Sequence, residues 1–222
     1  MEENIAMLIA DLSGYSALTE MHGSVSAADL IDKYMTIVEN CLDHDSKFHE
    51  RTGDEVIIVS TSPDSLLRTA FRIIQGSSGA DNFLQVHGGL HIGKLLKRNN
   101  SYFGSVINIT SRIAAAANPG TFWCSEEFAH SLSEPSFSDL NPKGKHSFRN
   151  ISEGKEMYEA SIEPKNSFFI DPVCRMQILD TTKAKKHPEP EDIFFCSSAC
   201  LDIYAGNNLT ASEYNKPEKV KE

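Results

Sequence analysis

The chain reads as an α/β protein, a mixed sheet flanked by helices, with a small cysteine-containing unit at the C-terminal end. Three observations predict it. Short apolar runs rich in β-branched residues alternate with stretches of helical periodicity from residue 4 to residue 162. Two of the predicted strands adjoin an aspartate, Asp11 at the end of Ile5-Ala-Met-Leu-Ile-Ala and Asp54 just before Glu55-Val-Ile-Ile-Val-Ser60. Three cysteines, Cys174, Cys196 and Cys200, fall together in a C-terminal stretch too short to be held by an apolar core alone.

Residues 4–10 are apolar and predict a strand, with a helix beginning near Ser16. Leu30, Tyr34, Ile37, Val38 and Cys41 recur at helical spacing and predict a helix over 25–42. Residues 46–51 and 55–60 read as a hairpin around Gly53. Ser62-Pro63-Asp64 is a helix start, with proline early and an acid in the first turn, and the helix runs to Gln75 before Gly76-Ser-Ser-Gly79 ends it. Strands are predicted near 84–91 and 94–98, then a helix carrying Asn108 to Ala117, stopped by Asn118-Pro119-Gly120. Phe122–Ser125 is a short strand, and 146–149 with 156–162 form a last pair. The division is 1–163 for the large unit, a polar linker at 164–168, a second unit at 169–210 and a charged tail at 211–222.

Composition narrows the function classes. At 222 residues, 40% hydrophobic and 23% charged, the chain is ordinary for a globular protein. Its net charge of −10 argues against a general nucleic-acid or anionic-membrane binder, because attraction to phosphates needs a basic surface. No apolar run approaches a membrane span, and the N-terminus lacks a leader-like pattern. These readings place the protein in the cytoplasm with its thiols reduced, so the cysteines are not expected to form a disulfide framework.

Two carboxylates brought together at strand ends can hold two divalent cations, the arrangement that activates and stabilises oxygens in phosphoryl transfer. Asn108 and Arg112 are at i and i+4 and share one helix face. A guanidinium beside an amide donor suits charge developing on transferring phosphoryl oxygens. The alternative is that Asn108 starts the helix and Arg112 is a solvated surface residue. His91 on a strand reads as structural, and Cys41 and Cys124 on apolar elements read as core.

With Gly88-Gly-Leu-His-Ile-Gly93 and Ser101–Gly120, these segments resemble the class III nucleotide cyclase homology domain, the catalytic unit of adenylate and guanylate cyclases, from about residue 4 to residue 162. The resemblance implies a ferredoxin-like cyclase fold and a head-to-tail homodimer. It implies Mg²⁺ or Mn²⁺, two per site, on Asp11 and Asp54, and a transition-state pair at Asn108 and Arg112. The substrate implied is ATP or GTP, cyclised with release of pyrophosphate. The purine selectors fall on Glu50 and Ser101. Glu50 matches the guanylate cyclase pattern, since a carboxylate accepts from guanine N1–H and its 2-amino group, whereas Ser101 can donate or accept. Arg149 is the nearest match to a triphosphate contact.

The C-terminal stretch carries Asp171-Pro-Val-Cys174-Arg-Met176 and Phe194-Phe-Cys196-Ser-Ser-Ala-Cys200. Three reduced thiols at this spacing suit Zn²⁺ or Cu⁺. The segment resembles the YHS (TRASH-like) domain of copper pumps, metallochaperones and metal sensors, with Arg175 standing where that family carries glycine. Candidates for a fourth ligand are His187 and Asp171. The alternative is a set of buried packing cysteines.

Overall fold

The structure is a computed structural model that describes residues 2–99, 101–133, 140–148, 154–162, 167–188 and 192–206. Strand β1 (Glu2–Leu12) leads into helix α1 (Tyr15–Cys41), then the hairpin β2 (Lys47–Thr52) and β3 (Glu55–Ser60), and helix α2 (Pro63–Ser78). Next come β4 (Val86–Arg98), β5 (Ser101–Phe103), α3 (Ser105–Ala116), β6 (Phe122–Ser125), α4 (Glu126–Ala129), β7 (Leu140–His146) and β8 (Lys155–Ala160). The large sheet runs β2-β3-β1-β4-β6-β8-β7, with β5 hydrogen-bonded to β4. Only β4 and β6 pair in parallel; the other neighbours are antiparallel.

Alternation along β1 divides the core. Ala6, Leu8, Ala10 and Leu12 face α1 and α2, together with Val56 and Ile58 of β3. Ile5, Met7 and Ile9 face the other way, with Ile57, Val59 and Leu95, and are covered by Val106 and Ala114 of α3. The sheet is therefore apolar on both faces, which explains the unbroken hydrophobic runs in the sequence.

Four boundaries differ from the sequence reading, each for a local reason. Helix α1 starts at Tyr15 and continues to Cys41 through a kink at Gly23, whose φ of 78° and ψ of 172° are not helical. Gly76 does not end α2. A Cβ there would lie 3.1 Å from Ile37 Cγ2, so the glycine lets α2 close on α1, and the helix ends at Ser78. The two strands predicted at 84–91 and 94–98 are one strand, β4, and β1 pairs with it along its whole length. The last pair is Leu140–His146 and Lys155–Ala160, with a register shift between Pro142 and Gly144 on an edge strand, where proline is tolerated.

The C-terminal segment forms two small antiparallel pairs, β9 (Phe169–Ile170) with β10 (Gln177–Ile178) and β11 (Lys185–Lys186) with β12 (Phe194–Phe195), then helix α5 (Ser198–Gly206). Its small core is Cys174, Phe195, Cys200 and Tyr204, with Met21 of α1 packed against it. It is hydrogen-bonded to the α2–β4 connection. Gln177 N–H donates to Phe83 O at 2.7 Å, its side-chain amide donates to Ser77 O at 3.1 Å, and Leu179 N–H donates to Asp81 Oδ1 at 2.8 Å. Residues 163–166 of the linker region and the 211–222 tail lie outside the described residues.

Candidate functional site

Asp11 is the penultimate residue of β1, opposite His87 of β4, and Asp54 sits in the two-residue turn between β2 and β3. Gly53 takes a φ of 64°, the left-handed conformation this tight turn needs. β3 and β4 both pair with β1, so the hairpin turn and the end of β1 meet at one end of the sheet. There the two carboxyl groups come close enough to perturb each other's ionisation. Burial raises Asp11 above the usual carboxylate range, opposed by the Asp54 side chain and the Leu12 N–H. Burial, then the Asp11 charge, pushes Asp54 up to about 6. Glu55 is raised by burial and by the charges of Asp54 and Glu50. His87 is lowered by burial and stays neutral, its Nδ1 2.8 Å from Ser13 Oγ.

Asp11, Asp54 and Glu55 thus form an acidic cluster. Two hard oxygen donors brought together in this way fit a divalent cation, which would relieve their repulsion.

Asn108 and Arg112 lie on α3, Asn108 exposed and Arg112 half-buried. Among the described residues neither makes a hydrogen bond or ion pair with Asp11 or Asp54, so one chain does not join the two pairs. Glu50 is exposed on β2, next to the bulge at His49, and Ser101 is exposed at the start of β5. Their neighbours His49 and Tyr102 stack edge to face at 4.9 Å, which draws these two segments together over the sheet. Arg149 lies outside the described residues.

His91 is buried with Nδ1 2.7 Å from Ser125 Oγ, and burial lowers it to about 4. It is a structural group. Cys41 and Cys124 are buried in the main core.

A second cluster lies at the C-terminal unit. Cys196 Sγ is 3.5 Å from Cys174 Sγ and 3.6 Å from Cys200 Sγ. Asp171 is fully buried and organises both cysteine segments. Its Oδ1 accepts from the N–H of Val173 and Cys174 at 2.8 and 3.2 Å, and its Oδ2 from Cys196 N–H at 2.8 Å. These three contacts commit the carboxylate to backbone amides, although it also lies close enough to the Cys196 and Cys200 thiols to interact with them. His187 is turned away, its ring against Phe195 and Tyr204. The nitrogen beside the thiols is His22 Nε2 of α1, 3.5 Å from Cys196 Sγ and 3.7 Å from Cys200 Sγ. The sequence does not single out His22, which is more than 150 residues from Cys174, the nearest of the three clustered cysteines; the only local hint is the glycine that follows it in a helix.

No known protein-family description matches the chain. An uncharacterised protein of Mycobacterium tuberculosis H37Rv is 35% identical over 112 residues, 50% of this chain and 30% of that protein. The pH-sensitive adenylate cyclase of M. tuberculosis CDC 1551 is 24% identical over 135 residues, 61% of this chain and 34% of that protein. The chain thus spans about a third of the length of the curated relatives it matches. Among solved structures, an adenylate cyclase of Trypanosoma brucei in its monomeric state superposes with a TM-score of 0.64 at 17% identity, covering 80% of this chain and 93% of that one. The guanylate cyclase domain of a rhodopsin fusion from Catenaria anguillulae, in complex with GTP, gives 0.57 at 15%, covering 73% and 99%. The fold is that of the class III adenylate and guanylate cyclase catalytic domains, and the named relatives are adenylate cyclases.

Proposed function

We propose that the chain is a class III nucleotide cyclase that converts ATP or GTP to the 3′,5′-cyclic nucleotide and pyrophosphate at the interface of a homodimer. The observation that carries this is the Asp11–Asp54 pair, two half-buried carboxyl groups that meet at strand ends of a cyclase-type sheet and perturb each other's ionisation. Divalent Mg²⁺ or Mn²⁺ held there supplies acidification of the ribose 3′-hydroxyl and neutralisation of the triphosphate.

The chain's own groups do the rest. Asp11 and Asp54 would hold the cations at a fixed place relative to the sheet. Arg112 spreads positive charge over the α-phosphoryl oxygens as the 3′-oxygen attacks, and Asn108 holds the ribose. These two residues make no contact with their own chain's aspartates, so a twofold pair of chains would supply one half-site each. Arg149 is our candidate for the triphosphate, and Glu50 with Ser101 for the purine. No side chain is assigned as general base. The C-terminal unit is read as a YHS-like metal-binding domain, and a nucleotide substrate places the protein in the cytoplasm. No helix among the described residues is long and apolar enough to cross a membrane.

A second reading, a cyclase-fold protein that binds nucleotide without turnover, is favoured by one observation, the mixed selector pair of Glu50 and Ser101. Two measurements decide. Purified wild type with Mn²⁺ and ATP or GTP should form cyclic nucleotide, and Asp54→Ala and Arg112→Ala should each be inactive. Mixing the two inactive variants should restore about a quarter of wild-type activity, since half of randomly paired dimers carry one intact site of two. Cyclic product from neither nucleotide, with nucleotide binding retained, would establish the second reading. Activity in the wild type without complementation would remove the shared-site arrangement.

A further inference from the structure

We propose that His22, on the first turns of α1, is the fourth ligand of a Cys₃His metal site with Cys174, Cys196 and Cys200, and that one Zn²⁺ there locks the C-terminal unit onto the helix that follows Asp11.

The four ligand atoms lie within 4.8 Å of one another. A tetrahedral zinc with ordinary bond lengths needs sulfur–sulfur separations of about 3.8 Å and nitrogen–sulfur separations of about 3.6 Å. Cys196 Sγ lies 3.5 Å from Cys174 Sγ and 3.6 Å from Cys200 Sγ, and His22 Nε2 lies 3.5 Å from Cys196 Sγ and 3.7 Å from Cys200 Sγ; the two remaining pairs, from Cys174 to Cys200 and to His22, are within 4.8 Å. These spacings leave room for an ion at the centre and are far longer than a disulfide bond. Three soft thiolates with one imidazole form a closed tetrahedral set, typical of structural zinc, whereas Cu⁺ favours thiolates and has no need of the imidazole. The surroundings are built for the site. Asp171 takes three backbone N–H groups and fixes both cysteine segments, and the thiols are walled by Phe195, Tyr204 and Met21.

A second contact runs beside the first. Arg175, next to Cys174, adopts a φ of 67°, and its side chain lies against Gly14, where an added Cβ would come within 2.5 Å of Arg175 Cβ. Gly14 itself has a φ of 92° and caps α1. The C-terminal unit therefore grips α1 at its first residue and again at His22, two turns later.

Full-length reduced protein, stripped of metal and titrated with Zn²⁺ and with Co²⁺ as a spectroscopic probe, tests this. The expected result is one ion per chain, sulfur-to-cobalt charge transfer, and intense d–d bands of a tetrahedral site. His22→Ala should weaken Zn²⁺ binding by about a hundredfold and shift the d–d envelope while keeping the charge transfer. His22→Cys should restore tight binding with stronger charge transfer. Zn²⁺ should also slow amide exchange across Tyr15–His22 in wild type and not in His22→Ala. An absence of metal binding by wild type would overturn the proposal. So would an unchanged affinity and cobalt spectrum in His22→Ala, or Cu⁺ bound by the three thiolates with no effect of His22.

Discussion

Replacing Asp54 with asparagine should stabilise the metal-free protein while removing a ligand of the proposed metal site. Asp54 and Asp11 are pressed together by the meeting of the hairpin turn with the end of β1, and the ionised pair is held against its own repulsion. A native value above the unfolded one means that the native state binds more protons than the unfolded chain between about 4 and 6. The cost of the charge is therefore present in full above pH 6 and fades as the pH falls towards 4. A rise from 3.8 to about 6 corresponds by linkage to roughly 3 kcal/mol. The group is only half-buried, and solvent screening reduces the figure to about 1–2 kcal/mol. Asp54→Asn keeps an amide that can donate to Asp11, so near pH 7.5 without metal it should gain that amount, a rise in Tm of roughly 3–6 °C. At pH 4 the gain should vanish. Saturating Mn²⁺ should reverse the order, because an ion at a hundred times its dissociation constant stabilises the wild type by about 2.7 kcal/mol and the variant by little. Urea titrations followed by Trp123 fluorescence at the two pH values, with and without Mn²⁺, measure all four states. A variant no more stable than wild type at pH 7.5 without metal, or an equal response of both to Mn²⁺, would refute the reasoning.

Two further outcomes follow from the same geometry. His91 is lowered to about 4 by burial, so the unfolded chain binds more protons between about 4 and 6.5, and stability is lost as the pH falls through that window, by up to about 1.4 kcal/mol per pH unit. Protonation of Asp54 opposes this in the metal-free protein. Urea titrations in saturating Mn²⁺ should therefore reveal the loss, and His91→Asn should flatten it. Gly89→Ala should cost about 3 kcal/mol, because a Cβ there would lie 2.5 Å from Ala114 N and Thr110 O and push α3 off the sheet, whereas Gly53→Ala meets nothing within 4 Å and should cost only about 1 kcal/mol for its left-handed φ. Equal losses in the two glycine variants, measured by thermal unfolding, would show that α3 does not sit tightly on β4.

The alternation of strands and helices is legible in the sequence because burial and periodicity coincide there: the apolar β1 run needs both faces covered, and Leu30, Tyr34 and Val38 repeat at the spacing α1 uses. The boundaries that shift are those set by tertiary fit. Gly76 looks like a helix stop and serves as a point of close approach to Ile37, and Pro142 hides an edge strand. At the candidate site, Asp11 and Asp54 are visible because each is tied to its own strand, and their meeting depends only on neighbouring strands. The Cys₃ set is visible by spacing, but its nitrogen partner is not. Beyond the glycine that follows it, no local signal marks His22, because its place beside the thiols arises from the docking of a segment more than 150 residues away.

The α1 start is where the two halves of the molecule bear on each other. Asp11 is the last residue but one of β1, Gly14 turns the chain at a left-handed φ, and His22 comes two turns into a continuous helix, immediately before the kink at Gly23. That kink matters mechanically. It separates the first turns of α1 from the longer arm whose Leu30, Ile31, Tyr34 and Val38 are locked into the main core. The short arm is held instead by Leu18 from within and by the C-terminal unit at both its ends, through Arg175 against Gly14 and the thiols against His22. An arginine in the left-handed region costs roughly 1 kcal/mol, and here it is spent on that contact. Asp11 thus lies one tight turn before the helical segment that carries His22. If Asp11 acts as proposed, the cysteine cluster is part of the support of that site.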